Sequence, residues 1–287
     1  VTRQIPPAPV PSAPVPPAPE LAALALPEGV ATTRDAFLGG LVTVEQPAKG
    51  FHRAGLDAVY LAAALPDGTK GHVVDLGAGV GTAGFCAAAR LPDIRVTLVE
   101  IDPLAALLAR RALADSLNNA FASRVSVLEA DITAKGSQRH TAGLTPCMAD
   151  HVIMNPPYYQ PGQFRASPSG ERASAHVLDE RGLEPWAKTA TDILREGGTL
   201  TVIFRADGLQ ELLDVFQGRF GAIDIIPLRP RADAAATRIL LRAIRASKAP
   251  LRLMPGFVLH EGEGSDFRPE ARAVMRDGKG LGIQPRP

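Results

Sequence analysis

Short apolar runs bounded by glycine, proline or charge recur from residue 72 onward, and most are separated by stretches of helical periodicity. The runs predict strands over 72–76, 96–100, 125–129, 151–154, 199–204 and 222–227. The intervening stretches predict helices over 82–90, 103–118, 183–195 and 208–220, with Asp102 and Pro103 as an N-cap and first-turn pair. A last strand, 238–244, follows 222–227 without a helix between, which makes it the natural antiparallel partner. Ahead of this alternation, 37–44 predicts a short strand pair turning at Gly39 and Gly40, and 54–65 a helix rich in alanine and leucine. Strands alternating with helices imply an α/β fold with a mainly parallel, doubly wound sheet and helices on both faces.

The first of the alternating strands runs through Asp75 into Gly77-Ala78-Gly79-Val80-Gly81-Thr82, and a helix follows. Glycines there let the backbone take positive φ and approach a ligand closely at a helix N-terminus. Counted from Gly79, the spacing to Gly81 and Gly84 also matches a dinucleotide fingerprint, so glycine spacing alone leaves the nucleotide open. Glu100 closes the next strand 19 residues after Gly81, where a carboxylate can accept from a ribose diol. Asp131 stands just past the third strand, where it can accept from an adenine amine; taken alone it reads first as a solvated strand-end charge. Glycine turn, Glu100 and Asp131 in that order, each at a strand's carboxyl end, point to a nucleoside cofactor.

The strand 151–154 stops at Asn155-Pro156-Pro157-Tyr158. Two prolines cannot extend a central strand and each holds φ near roughly −65°, so the chain leaves the sheet in a preset direction. An adenine N6 or a carboxamide nitrogen is a poor nucleophile because its lone pair is delocalised. Acceptors for both amine hydrogens localise that pair, and the Asn155 side-chain carbonyl with the Pro156 main-chain carbonyl can supply them. Tyr158 offers a face for a planar substrate.

With these residues the chain resembles the amino-methyltransferases bearing N-P-P-Y, and within them the bacterial adenine-N6 methyltransferases of a valine tRNA, over about residues 32–260. The resemblance implies a Rossmann-like class I methyltransferase fold, with a seven-stranded, mainly parallel sheet carrying one antiparallel strand. It implies S-adenosylmethionine as cofactor, held by Asp75, Gly77, Ala78, Gly79, Gly81, Glu100, Ile101, Asp131, Ile132 and Asn155. The catalytic residues would be Asn155, Pro156, Pro157 and Tyr158. The segment 50–61 is similar to the part of the family that closes over the cofactor, within a stretch 32–66. That likeness puts Arg53 and Asp57 on the cofactor side, where sequence alone would read a surface ion pair.

Charge changes the picture only locally. Lys and Arg number 31 against 30 Asp and Glu, so there is no global basic field to attract nucleic acid. Residues 229–252, however, carry Arg229, Arg231, Arg238, Arg242, Arg245, Lys248 and Arg252 against Asp233 alone. That run reads either as a phosphate track for tRNA or as a charged strand edge. The stretch 159–182 is long for a compact domain and is expected to order on substrate. Residues 1–31 read as a disordered Pro-rich tail and 261–287 as a flexible one. Two distant cysteines, no metal-ligand spacing among the histidines, no long apolar span and no leader-like N-terminus suggest a cytoplasmic, metal-free protein. Glutamine N5 methylation of a release factor is the alternative activity, although only a Pro-rich head stands where those enzymes carry a helical domain. A non-catalytic nucleic-acid-binding module should have lost Asn155 or the glycines. A nicotinamide oxidoreductase would leave 155–158 unexplained.

Overall fold

A computed structural model describes residues 24–48, 53–157, 182–262 and 264–283. Tyr158, most of the stretch 159–182, Gly50 to His52 and the first 23 residues of the Pro-rich head lie outside the described residues.

The chain opens with an antiparallel hairpin, β1 (Thr32–Phe37) and β2 (Val42–Pro47), turning through Gly39 at φ 65°. Helix α1 (Leu56–Ala63) leads into β3 (Gly71–Leu76), α2 (Thr82–Arg90), β4 (Ile94–Glu100) and α3 (Pro103–Ala114). Then come α4 (Asn119–Ala122), β5 (Val125–Glu129), α5 (Gly136–Thr141), β6 (Ala149–Met154), α6 (Glu184–Ile193), β7 (Leu194–Arg205) and α7 (Leu209–Phe216). The chain ends with β8 (Phe220–Arg229), β9 (Arg238–Arg245), β10 (Arg252–Leu253), β11 (Phe257–Val258) and α8 (Pro269–Asp277).

The main sheet runs β10-β8-β9-β7-β6-β3-β4-β5, and β11 pairs with β8. Seven of its strands form the expected set. Only β9 runs antiparallel, between β7 and β8, and the two-residue strands β10 and β11 extend the outer edge. The central strands are buried on both faces, which is why they read as continuous apolar runs rather than alternating ones. Residues of α1, α2 and α3 cover one face, and residues of α6 and α7 the other.

Helix boundaries depart from the periodic reading in one instructive place. Asp115 takes extended backbone and its carboxylate accepts from Leu117 N, so the expected 103–118 helix breaks at Ala114 and restarts as a 3-10 turn and α4. Asn118 in that turn is fully buried and clamps β2, accepting from Thr43 N at 3.0 Å and donating to Thr43 O at 2.8 Å.

Both proposed tails need correction. Leu24 is buried and its carbonyl accepts from Arg111, so the folded unit begins before residue 32. At the other end, α8 buries Ala271 and Val274 against α1 and the β1–β2 turn instead of trailing free. Pro269 at its start and Gly278 in the left-handed region at its end are ordinary helix punctuation that its dense charge obscured. The Arg90 guanidinium, 2% exposed, holds the following segment down by donating to Gly278 O, Ala62 O and Asp67 Oδ1 at 2.7–2.8 Å.

Candidate active site

Strand register assembles the site. Leu76 pairs with Met154 and with Val99, and Glu100 pairs with Glu129. Gly77, Asn155, Glu100 and Asp131 therefore leave four adjacent strands along one carboxyl edge, spaced by roughly 4.8 Å per strand. This is where open α/β sheets bind ligands.

The turn after β3 is built from three left-handed glycines, Gly77 (φ 67°), Gly79 (φ 57°) and Gly81 (φ 89°). A β-carbon on Gly81 would strike Leu98 and Phe85, whereas one on Gly79 would meet nothing within 4 Å, so the loop is packed beneath and open outward. Ala78 N donates to Val99 O and Ala78 O accepts from Gly81 N, both at 2.9 Å. Gly84, which left the fingerprint ambiguous, serves packing: its N–H donates to Asp75 Oδ2 at 2.9 Å and a side chain there would collide with Leu98.

Glu100 is 9% exposed and accepts from Gly79 N at 2.7 Å and from Ile101 N and Asp102 N at 2.8 Å. Its carboxylate thus braces the glycine turn, and Oε2 keeps a lone pair beyond the Gly79 bond. Burial raises its pKa against these three donors. Ile101 beside it is an exposed apolar side chain on the same edge. Asp131 Oδ1 accepts from Thr133 N and Thr133 Oγ1, both at 2.7 Å, and Ile132 is buried behind it. Asn155 is half-buried, Pro156 buried and Pro157 exposed.

Arg53 donates to Thr33 Oγ1 at 2.8 Å and to Asp35 Oδ2 at 2.6 Å, and Asp57 in α1 accepts from Arg238 Nε at 2.9 Å. Each is thus tied across the fold to a distant partner. The basic run does not form one stripe. Arg238 pairs with Arg205 and Leu228 at the site edge, Arg242 lies mid-strand, and Arg245 pairs with Phe220 at the opposite edge. Seven residues of strand separate Arg238 from Arg245, about 23 Å. Arg245 donates to Leu194 O, Arg242 to Ile283 O, and Arg252 to both oxygens of buried Asp224.

The residues present fit a nucleoside cofactor: an outward-open glycine turn, a buried ribose-height carboxylate and an apolar platform at Ile101. Residues 43–226 match the family model described as Methyltransferase small domain. The chain belongs to the methyltransferase small domain family. A tRNA1(Val) (adenine(37)-N6)-methyltransferase of Porphyromonas gingivalis is 29% identical over 56% of this chain and 61% of its own length. This methyltransferase small domain chain thus spans about three fifths of that relative. A solved structure described as a predicted O-methyltransferase from Agrobacterium tumefaciens is 36% identical, with a TM-score of 0.67 over 78% of this chain and 97% of that one. M. jannaschii TYW2 in complex with AdoMet shares the fold, with a TM-score of 0.50 and 13% identity over 76% of this chain and 88% of that one. S-adenosylmethionine is accordingly the cofactor of this family member.

Asp75, 2% exposed, has its pKa pushed up to about 7 by burial, partly offset by the Gly84 N–H and raised further by Glu100. The folded value lies above the ordinary 3.8, so its protonated form favours the fold. That stabilisation is fully present below the unfolded value and is lost as pH rises through about 7. With the cofactor seated on the glycine turn beside Asp75, binding is expected to run the other way, because S-adenosylmethionine carries a net positive charge that an ionised Asp75 would attract. Calorimetry should therefore show affinity tightening as pH rises through about 7, and Asp75→Asn should flatten the profile. A wild-type profile without slope in that window would refute the coupling.

Proposed function

We propose that this chain methylates the N6 amine of an adenine in tRNA, in the anticodon-loop region. The observation that carries the reading is the pairing of Leu76 with Met154, which sets Asn155 and Pro156 beside the glycine turn. When bound, S-adenosylmethionine supplies an electrophilic methyl group. Asp75, the backbone of Gly77, Ala78, Gly79 and Gly81, Glu100 with Ile101, and Asp131 with Ile132 would hold it. Arg53 and Asp57 are assigned to its outer side. The chain's own part in the chemistry is to hold the amine. Asn155 Oδ1 and Pro156 O each accept one of its two N–H groups, and both bonds strengthen as the nitrogen becomes positive. One of those protons leaves for solvent to complete the substitution. A hydroxyl offers a single proton to such a pair of acceptors, which favours nitrogen over the oxygen named for the Agrobacterium relative. The Porphyromonas relative's name supports adenine in tRNA.

A loop base is already largely unpaired, so extruding it avoids the few kcal/mol that unstacking a duplex base costs. Single-stranded or loop substrates should therefore outcompete duplexes. Nucleoside mass spectrometry of tRNA from a strain lacking the protein, before and after incubation with enzyme and cofactor, tests the assignment. N6-methyladenosine is the expected product. Its absence, with a methyl gained on a release-factor glutamine, would replace the reading.

The split of the basic run sorts its members. Arg229 ends β8 at the site edge and is held by carbonyls, Ala232 O at 2.9 Å and Pro255 O at 3.4 Å. It is assigned to a substrate phosphate together with the neighbouring Arg231 and Arg238. Half-buried Arg242 lies mid-strand, away from the site edge, and Arg245 and Lys248 lie at the far edge, so these three are not assigned that role. Arg229→Gln should reduce the log–log salt slope of tRNA binding by about 1. Arg245→Gln should leave that slope unchanged and lower the melting temperature instead. The reverse pattern would place the RNA on the other edge.

A further inference from the structure

Trp186 is the sole tryptophan of the chain, and the residue is 4% exposed under the carboxyl edge of the sheet. It stands in the first turn of α6, next to Pro185. A β-carbon on Gly77 would collide with ring atom Cη2 and lie 3.0 Å from Cζ3 and 3.6 Å from Cζ2. The glycine turn therefore rests on the six-membered edge of this indole. Gly77 is favoured by a φ of 67°, which strains any other residue, and required by the ring beneath it, which a side chain would strike. One turn along the same helix, Thr189 Oγ1 is buried and donates to Ile132 O at 2.6 Å. A single helix thus supports the turn after β3 and the turn after β5, which lie on either side of Glu100. The indole Nε1–H is buried with no acceptor among the described residues.

We propose that Trp186 is a positioning residue for the cofactor: its ring sets the height of the Gly77 turn, and α6 locks that turn to the one at Ile132. The proposal rests on the reading that the glycine turn holds S-adenosylmethionine. Because no other tryptophan contributes, intrinsic emission reports on this contact directly. Titrating the wild-type protein with S-adenosylmethionine should shift or quench that emission along the same curve that calorimetry follows. Trp186→Leu should raise the cofactor Kd about tenfold, equivalent to ~1.4 kcal/mol, with kcat at saturating cofactor close to wild type. Trp186→Phe keeps a ring edge and should raise Kd less; it decides the matter if the leucine variant does not fold. Gly77→Ala should bind cofactor better in the Trp186→Leu background than alone, because the collision is relieved. Unchanged emission at saturating cofactor, or wild-type Kd in a folded Trp186→Phe and Trp186→Leu pair, would overturn the proposal. Failure of the wild type to bind cofactor in calorimetry would instead overturn the glycine-turn reading, and this proposal with it.

Discussion

Asn155→Ala is expected to lower methyl transfer by roughly 100-fold or more, the scale of removing one acceptor or donor that acts mainly in the transition state. Folding should survive, because Asn155 lies beyond the last residue of β6 and is only half-buried. Cofactor affinity should fall far less than turnover, since Glu100 and Val99 hold the glycine turn through Gly79 N and Ala78 N. The loss should fall on kcat and on kcat/KM together, as for an interaction made only in the transition state. Tyr158→Ala is expected to act differently, raising KM, with Phe partly tolerated because a ring face suffices for stacking. The measurement is single-turnover transfer of labelled methyl to unmodified tRNA, paired with calorimetry of cofactor binding. Normal turnover in Asn155→Ala would refute the amine-holding role.

Glu100→Ala is expected to weaken cofactor affinity by about 1.5–3 kcal/mol, the range for losing hydrogen bonds to a buried charged group. Two losses combine here. The ribose side loses its acceptor, and the N–H groups of Gly79, Ile101 and Asp102 lose the carboxylate they share. Glu100→Gln separates them, because its single carbonyl can keep either Gly79 or the Ile101–Asp102 pair but not both. Its affinity should fall between wild type and alanine. Calorimetry with S-adenosylmethionine and with its demethylated product measures both variants. Equal affinity across wild type, Gln and Ala would remove Glu100 from the site.

The two predictions draw on residues of different legibility. The strands that carry Glu100 and Asn155 were readable because a parallel strand buried on both faces must be apolar throughout, and because prolines and charges end it sharply. The glycine turn was readable because only glycine tolerates three left-handed positions so close together. Asp75 could be seen as part of the motif, but not as a carboxyl pushed to about 7. That shift depends on burial and on Glu100, which is 25 residues away in the chain.

Other features needed the tertiary structure. The basic run 229–252 looks continuous in one dimension, yet a strand rises about 3.3 Å per residue, so Arg238 and Arg245 at the two ends of β9 reach opposite edges of the sheet. Trp186 carries no motif; its place under Gly77 follows from how α6 returns over the sheet. The α8 segment is short and charge-dense, and what holds the chain after it is Arg90, far away in sequence. Sequence by itself determined the seven main strands of the sheet and the glycine turn, and singled out the residues proposed to hold an amine, since these depend on local backbone limits and side-chain chemistry. Only the tertiary structure decided which charges face the site and what supports the turn, because burial and neighbours belong to the packed chain and not to any one segment of it.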